Sequence, residues 1–229
     1  MNKIYIVSCT KHTEEKFFET TALGKTIRKL NLLYGNKIEP YLFTENKRGL
    51  CECYNEAIED IIKKDGDESS ILCFVHDDVF IEDVFFSEKL EKGFKDFQVI
   101  GMAGSTKWTL KHPTIWTNTK CDWSGSVFHY LNNQYVPVIF GRFLIDCVVL
   151  DGLFLSCKLG TCMNTELRFD NRLKFHHYDI DFCLTAKKLG LRMTTLPIWI
   201  IHCSQGRWQD DPVWHESEKV MLQKWSRGK

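Results

Sequence analysis

The sequence predicts an α/β fold with a mainly parallel (mixed) sheet flanked by helices. Three features predict it. Short apolar runs alternate with helical patterns from residue 4 to residue 103. One of those runs, residues 70–75, is almost wholly apolar, as a strand covered by helices on both faces requires. Two adjacent carboxylates, Asp77 and Asp78, follow that run directly. Open α/β sheets present their ligands there, beyond the carboxyl ends of the strands.

The elements follow in order. Ile4–Cys9 reads as a first buried strand, too short to be a secretion signal. Residues 17–33 read as one helix stopped by Gly35. Ile38–Phe43 is a second strand. Leu50, Cys53, Tyr54, Ala57, Ile58, Ile61 and Ile62 recur at the spacing of one buried helical face. After the strand at 70–75 come a short helix at 87–97 and a fourth strand at 98–103. The alternation argues for right-handed parallel crossovers. Strands are expected again at 143–150, 153–156 and 194–201, with a helix at 178–189 closed by Gly190. Asp211 as N-cap and Pro212 at the first helical position start a last helix with Trp214, Met221 and Trp225 on one face.

Residues 104–141 interrupt this rhythm and are too long for a plain connection. They carry Trp108, Trp116, Trp123, His112 and His129. Residues 127–130 and 135–140 are expected to pair across a turn at Asn132-Asn133. Their aromatics either cover the core or line a ligand site.

Composition narrows the function classes. Lys+Arg and Asp+Glu are both 30 in 229 residues, so the basic excess of a nucleic-acid binder is missing and no nucleic-acid partner is expected. No apolar run approaches the ~20 residues of a membrane span. The ten cysteines read as free thiols of a reducing compartment. Cys51 and Cys53 lack the spacing of a zinc knuckle.

Four clusters could carry chemistry. His76-Asp77-Asp78-Val79 closes the third strand; carboxylates there either hold Mg²⁺ or Mn²⁺, which favour hard oxygen ligands, or cap a charged turn. His202-Cys203-Ser204 ends the last strand, and His202 completes a metal site if that strand end lies beside Asp78. His177-Tyr178-Asp179-Ile180-Asp181 opens a helix, where carboxylates serve as caps or one acts as a general base. Gly49-Leu50 enters a helix and offers free N–H groups to an anion. There is no GxGxxG and no P-loop, which argues against a dinucleotide dehydrogenase or a P-loop NTPase. Ser8-Cys9-Thr10-Lys11-His12 is too poor in glycine for a nucleotidylyltransferase loop.

Together these segments resemble glycosyltransferase-like family 2 of the GT-A fold, in the branch related to streptomycin-biosynthesis proteins. The matching pieces are Gly49-Leu50 with Tyr54-Asn55, Phe74-Val75-His76-Asp77-Asp78-Val79, and Val99-Ile100-Gly101-Met102-Ala103-Gly104. Asp151-Gly152-Leu153-Phe154, Arg168-Phe169-Asp170, His177 to Asp181 and His202-Cys203-Ser204 follow in order. The resemblance covers residues 1–206, with 104–141 as an acceptor-side insertion and 207–229 as a helical tail.

It implies a nucleotide-diphospho-sugar transferase that moves a sugar from a UDP- or GDP-type donor to a hydroxyl acceptor with Mn²⁺ or Mg²⁺, by inversion. Retention is the other outcome. Asp78 and His202 are the implied metal ligands and Asp179 the implied base. Ser8, Thr10, Glu45, Asn46, Asn55, His76 and Asp77 are the implied donor contacts. Trp108, Trp123, Asp151 and Gly152 are the implied acceptor contacts, the acceptor being a carbohydrate, a lipid-linked sugar or a protein. Two positions depart from the family pattern: His76 replaces a leading aspartate, and Tyr178 replaces a glutamate before Asp179. Those departures motivate an alternative, a non-catalytic nucleotide- or sugar-binding module on the same fold. A cytoplasmic location is expected, with the tail helix packed on its own domain or docked at the inner face of a membrane.

Overall fold

The computed structural model describes residues 2–111, 122–204 and 211–226. The expectations for His112 and Trp116 lie outside the described residues.

The chain begins β1 (Ile4–Cys9), α1 (Glu14–Thr20), α2 (Ala22–Tyr34), β2 (Ile38–Phe43), α3 (Leu50–Lys64), β3 (Ile71–Val75). β1 pairs in parallel with both β2 and β3. The expected single helix at 17–33 is two helices. Thr21 breaks it: its hydroxyl accepts from Gly24 N and donates to the Phe17 carbonyl, so it ends α1 and caps α2 at once. Gly24 sits so close to that carbonyl that any Cβ would overlap it. β1 shows why its residues are apolar throughout. Tyr5 and Val7 enter one core with α3, and Ile4 and Ile6 enter another with Leu23 and Ile27 of α2. Burial of each such side chain is worth about 1.5–3 kcal/mol.

The second half runs β4 (Val79–Ile81), α4 (Phe86–Gly93), β5 (Val99–Gly101), β6 (Ala103–Ser105), β7 (Trp123–Leu131), β8 (Gln134–Gly141), β9 (Val149–Leu150). Then come β10 (Phe154–Lys158), α5 (Leu159–Asn164), α6 (Tyr178–Lys188), β11 (Met193–Thr195), β12 (Ile200–His202) and α7 (Pro212–Ser226). One sheet has the order β11-β5-β10-β3-β1-β2, with β10 antiparallel to β3 and β5. The second has the order β4-β12-β7-β6-β9, with β8 paired to β7.

Three predicted strands are corrected. The run at 98–103 is β5 in one sheet and β6 in the other, parted at Met102. The run at 194–201 likewise divides into β11 and β12 around Pro197, whose missing N–H cannot continue a ladder. Of 143–150, only Val149–Leu150 is a strand. The hairpin of β7 and β8 forms as the sequence predicts, turning at Asn132 and Asn133 with φ of 49° and 61°.

α7 packs on α6. Met221 is fully buried. Asp181, also fully buried, accepts from Lys224 Nζ and Trp225 Nε1, both at 2.8 Å. Asp211 caps α7 through Val213 N and reaches His176 Nε2 at 3.0 Å. Ser217 donates to the His176 carbonyl, so His177 Nδ1, 2.6 Å from the same hydroxyl, must be the donor to it. Burial holds the His177 imidazole down to about 4, with His176 adding to the effect. A neutral His177 in the left-handed conformation (φ 60°) thus opens α6 and seats α7. No described helix is long and apolar enough to cross a membrane. The nine described cysteines are all free thiols.

Candidate active site and metal centre

β3 ends in His76-Asp77-Asp78, and β12 ends in His202. The antiparallel pairing of β12 with β4 aligns His202 with Val79, one residue past Asp78, and the Cys203 N–H donates to the Asp78 carbonyl. This register is what brings two distant strand ends together. Each of His76, Asp78 and His202 offers a ligand atom, and these atoms lie within 4.8 Å of one another.

Asp78 Oδ1 lies 3.4 Å from His202 Nε2, an electrostatic contact without an aligned hydrogen bond. That oxygen is buried and has no hydrogen-bond partner. A buried carboxylate beside two imidazoles, with one oxygen that no donor satisfies, is a place where a cation can bind. The donor set, one oxygen and two nitrogens, suits Mn²⁺ and other first-row ions. Burial acts to raise the Asp78 carboxyl, but the attraction of His202 and then of His76 outweighs it and holds the group below its ordinary value. His202 is held above its ordinary value: burial pulls it down, and Asp78 more than compensates. His76 is held below its own, chiefly by burial, and so stays neutral.

The loop from Asp151 to Leu153 joins this cluster to α6. His76 N donates to the Leu153 carbonyl. Gly152 N donates to Asp179 Oδ2 at 2.9 Å, and the Tyr178 hydroxyl donates to the Gly152 carbonyl at 2.8 Å. Consecutive side chains of α6 therefore hold the N–H and the carbonyl of one residue. Only glycine fits at 152, because a Cβ would overlap the Tyr178 hydroxyl. Gly152→Ala is expected to displace that hydroxyl and lower the melting temperature by roughly 2–8 °C, the effect of about 1–2 kcal/mol in a chain of this size. A thermal melt of the purified variant measures it.

Asp179 also accepts from Ile180 N at 2.8 Å. Its carboxyl is nevertheless pushed up to about 7, first by burial and then by the charge of Asp151, against the pull of those two N–H groups. Asp151 accepts from Leu153 N and faces both Asp179 and the imidazoles of the cluster.

The structure brings together Asp78, His202, His76, Asp151, Gly152 and Asp179. It places the other expected contacts as follows. Thr10, at the end of β1, donates to Asp77 Oδ2 at 2.6 Å, so the first strand end reaches the acidic motif. Ser8 is fully buried with its hydroxyl on the Val75 carbonyl, and holds β1 to β3. Glu45 is exposed on a left-handed turn, and Asn46 closes that turn through Arg48. The Asn55 amide is engaged with the Phe169 backbone in both directions and with Asn171, which pins the loop ahead of α6. Trp123 packs edge-on against Phe140, and Trp108 packs against the α3-side core.

Three site neighbours are missing from the sequence-based list. His129 lies opposite His202 in the parallel β7–β12 register, with ring centroids 5.7 Å apart. Phe175 is 52% exposed and stacks over His76 at 6.1 Å, an aromatic face at the mouth of the site. Tyr178 bonds His76 Nε2 at 2.8 Å. The two positions that depart from the family pattern, His76 and Tyr178, therefore touch each other. A strand-pairing register would have been needed to find His129, and the phase of α6 against β3 to find Tyr178.

A family model described as "Glycosyltransferase like family" matches residues 6–225. No curated protein matches the chain. Among solved structures, GalNAc-T7 with UDP, GalNAc and Mn²⁺ superposes with a TM-score of 0.55 at 10% identity, over 98% of this chain and 48% of that one. The S. aureus protein TarS, residues 1–349, superposes with a TM-score of 0.52 at 14% identity, over 88% of this chain and 60% of that one. The same protein in complex with UDP gives 0.51. This chain thus spans about half to three-fifths of these relatives' length. With a model match across nearly all its residues and this mixed sheet carrying its acidic motif at a strand end, the chain belongs to the glycosyltransferase-like family 2 and has the GT-A fold.

Proposed function

We propose that the protein is a metal-dependent glycosyltransferase that moves a sugar from a nucleoside diphosphate sugar to a hydroxyl acceptor, with inversion. The observation that carries this reading is the cluster of His76, Asp78 and His202, with one buried Asp78 oxygen that no donor satisfies, joined through the 151–153 loop to the Asp179 carboxyl raised to about 7. Asp78 and His202 would hold Mn²⁺ or Mg²⁺, with His76 beside them. A divalent cation there supplies charge neutralisation for the departing diphosphate.

The chain's own residues do the rest. Asp179 takes the proton of the acceptor hydroxyl as that oxygen attacks the anomeric carbon. The carbon–oxygen bond to the diphosphate breaks, and its electron pair leaves with the nucleoside diphosphate. Asp151 keeps Asp179 basic by charge repulsion and orients the acceptor with Gly152; Trp108 and Trp123 shape the acceptor side. Thr10 and Asp77, bonded to each other, border the nucleoside with Glu45 and Asn46. The order of the quoted segments supports the streptomycin-related branch. Acceptor classes remain a carbohydrate, a lipid-linked sugar or a protein, met in the cytoplasm or at the inner face of a membrane.

UDP is the first donor nucleotide to test, since structural neighbours were solved with it. UDP with Mn²⁺ is expected to raise the melting temperature of the wild-type chain where UDP alone does not. UDP-sugar turnover, read as UDP release, is expected to need the metal too. Mn²⁺-dependent UDP binding with no turnover of any UDP- or GDP-sugar would favour the non-catalytic module. Indifference of both UDP and GDP binding to Mn²⁺ would sink the metal reading.

A further inference from the structure

The Tyr178 hydroxyl stands between two partners. It lies 2.8 Å from the Gly152 carbonyl oxygen and 2.8 Å from His76 Nε2. A carbonyl can only accept, so the single phenolic proton is committed to Gly152. The second contact then requires the proton to come from His76. With the proton on Nε2, the neutral ring carries its lone pair on Nδ1. No hydrogen bond to Nδ1 exists among the described residues. His76 also belongs to the cluster with Asp78 and His202.

We infer that Tyr178 is a positioning residue that fixes His76 as the Nε2–H tautomer, so that His76 ligates the divalent cation through Nδ1 beside Asp78 and His202. This rests on the metal site of the proposed function and extends it to a third ligand and the group that orients it. Ligating imidazoles generally donate their other ring N–H to an oxygen, which sets tautomer and ring plane together. Tyr178 is 3% exposed, and its ring meets Tyr54 and Phe169, so the acceptor oxygen is itself held in place. The arrangement has a mechanical consequence. Tyr178 and Asp179 are consecutive and hold the carbonyl and the N–H of the same residue, Gly152, so the ligand nitrogen and the general base share one support.

The test is Tyr178→Phe, which keeps the ring and removes only the oxygen. In metal-free protein labelled with ¹⁵N-histidine, long-range ¹⁵N–¹H correlation is expected to report Nε2–H for His76, assigned by its absence in His76→Gln. In Tyr178→Phe the same ring is expected to sample both tautomers. Mn²⁺ affinity in the presence of UDP, from titration followed by electron paramagnetic resonance, is expected to fall about 10- to 100-fold. Electron spin-echo modulation of bound Mn²⁺ is expected to show nitrogen couplings that diminish in His76→Gln. A His76 protonated on Nδ1, nitrogen couplings unchanged in His76→Gln, or a Tyr178→Phe chain that binds Mn²⁺ as the wild type does would overturn the inference. Each of those results leaves a two-ligand site at Asp78 and His202 standing. Failure of the wild-type chain to bind Mn²⁺ at all would instead remove the metal reading itself.

Discussion

Asp179→Asn is expected to lower the transfer rate by about 10²- to 10⁴-fold, the usual worth of a positioned general base, while UDP affinity with Mn²⁺ stays within about threefold. The reasoning starts from the two backbone N–H groups, of Gly152 and Ile180, that the carboxylate accepts. They hold it in one place whether or not an acceptor is bound. Burial and Asp151 raise its carboxyl to about 7, so at neutral pH about half of the molecules carry a base strong enough to take a hydroxyl proton. The wild-type rate should climb tenfold per pH unit below about 7 and level off above it; the variant's residual rate should lose that limb. Because Asp151 contributes to the shift, the midpoint belongs to the pair, and Asp151→Asn should move it down. Stability supplies a second readout. A carboxyl whose folded value lies above its unfolded value of about 3.9 favours the folded state less as pH rises between those two values. Asp179→Asn should therefore gain on the wild type with rising pH, by up to about 4 kcal/mol at pH 8. The amide loses part of this because its NH₂ cannot accept one of the two N–H bonds. Transfer at the wild-type rate, with an unaltered pH profile, would place the base elsewhere.

What could be read from the sequence, and what could not, divides along physical lines. β1 and α3 were legible because each is one unbroken apolar pattern bounded by a turn or a cap. The β7–β8 hairpin was legible because paired asparagines tolerate positive φ. The switches between sheets at Met102 and near Pro197 were not, since the chain stays apolar while it crosses and periodicity carries no sign of which sheet receives it. The antiparallel direction of β10 was hidden for the same reason. Within the site, Asp78, His202 and Asp179 could be named because they end strands or open a helix, where side chains meet ligands. Tyr178 could be named only as a departure from the family pattern; its role could not, because a buried tyrosine one residue from a carboxylate reads as core until the His76 contact is seen. Asn55 shows the opposite error of emphasis: a polar residue in a family segment whose amide is taken up by the Phe169 backbone.

Asp78→Ala is the complementary test, and its expected signature is loss of ligand response without loss of fold. The Asp78 backbone carbonyl, which accepts from Cys203 N, is unaffected by the change. The side chain's near contact is with His202 Nε2 at 3.4 Å, and the charge of His76 also acts on it. Those attractions outweigh burial, so the ligand-free variant should keep the fold and melt slightly below the wild-type temperature. Mn²⁺ and UDP should then produce no shift. At a hundredfold excess over the wild-type dissociation constant they stabilise the native chain by about 2.7 kcal/mol, and the variant forgoes that amount. The two halves of the result separate site from scaffold. Loss of cooperative unfolding without ligand would mean that Asp78 holds the β3 end to β12 and that the cluster is structural. An unchanged shift with Mn²⁺ and UDP would mean that the cation, if any, is held by other residues.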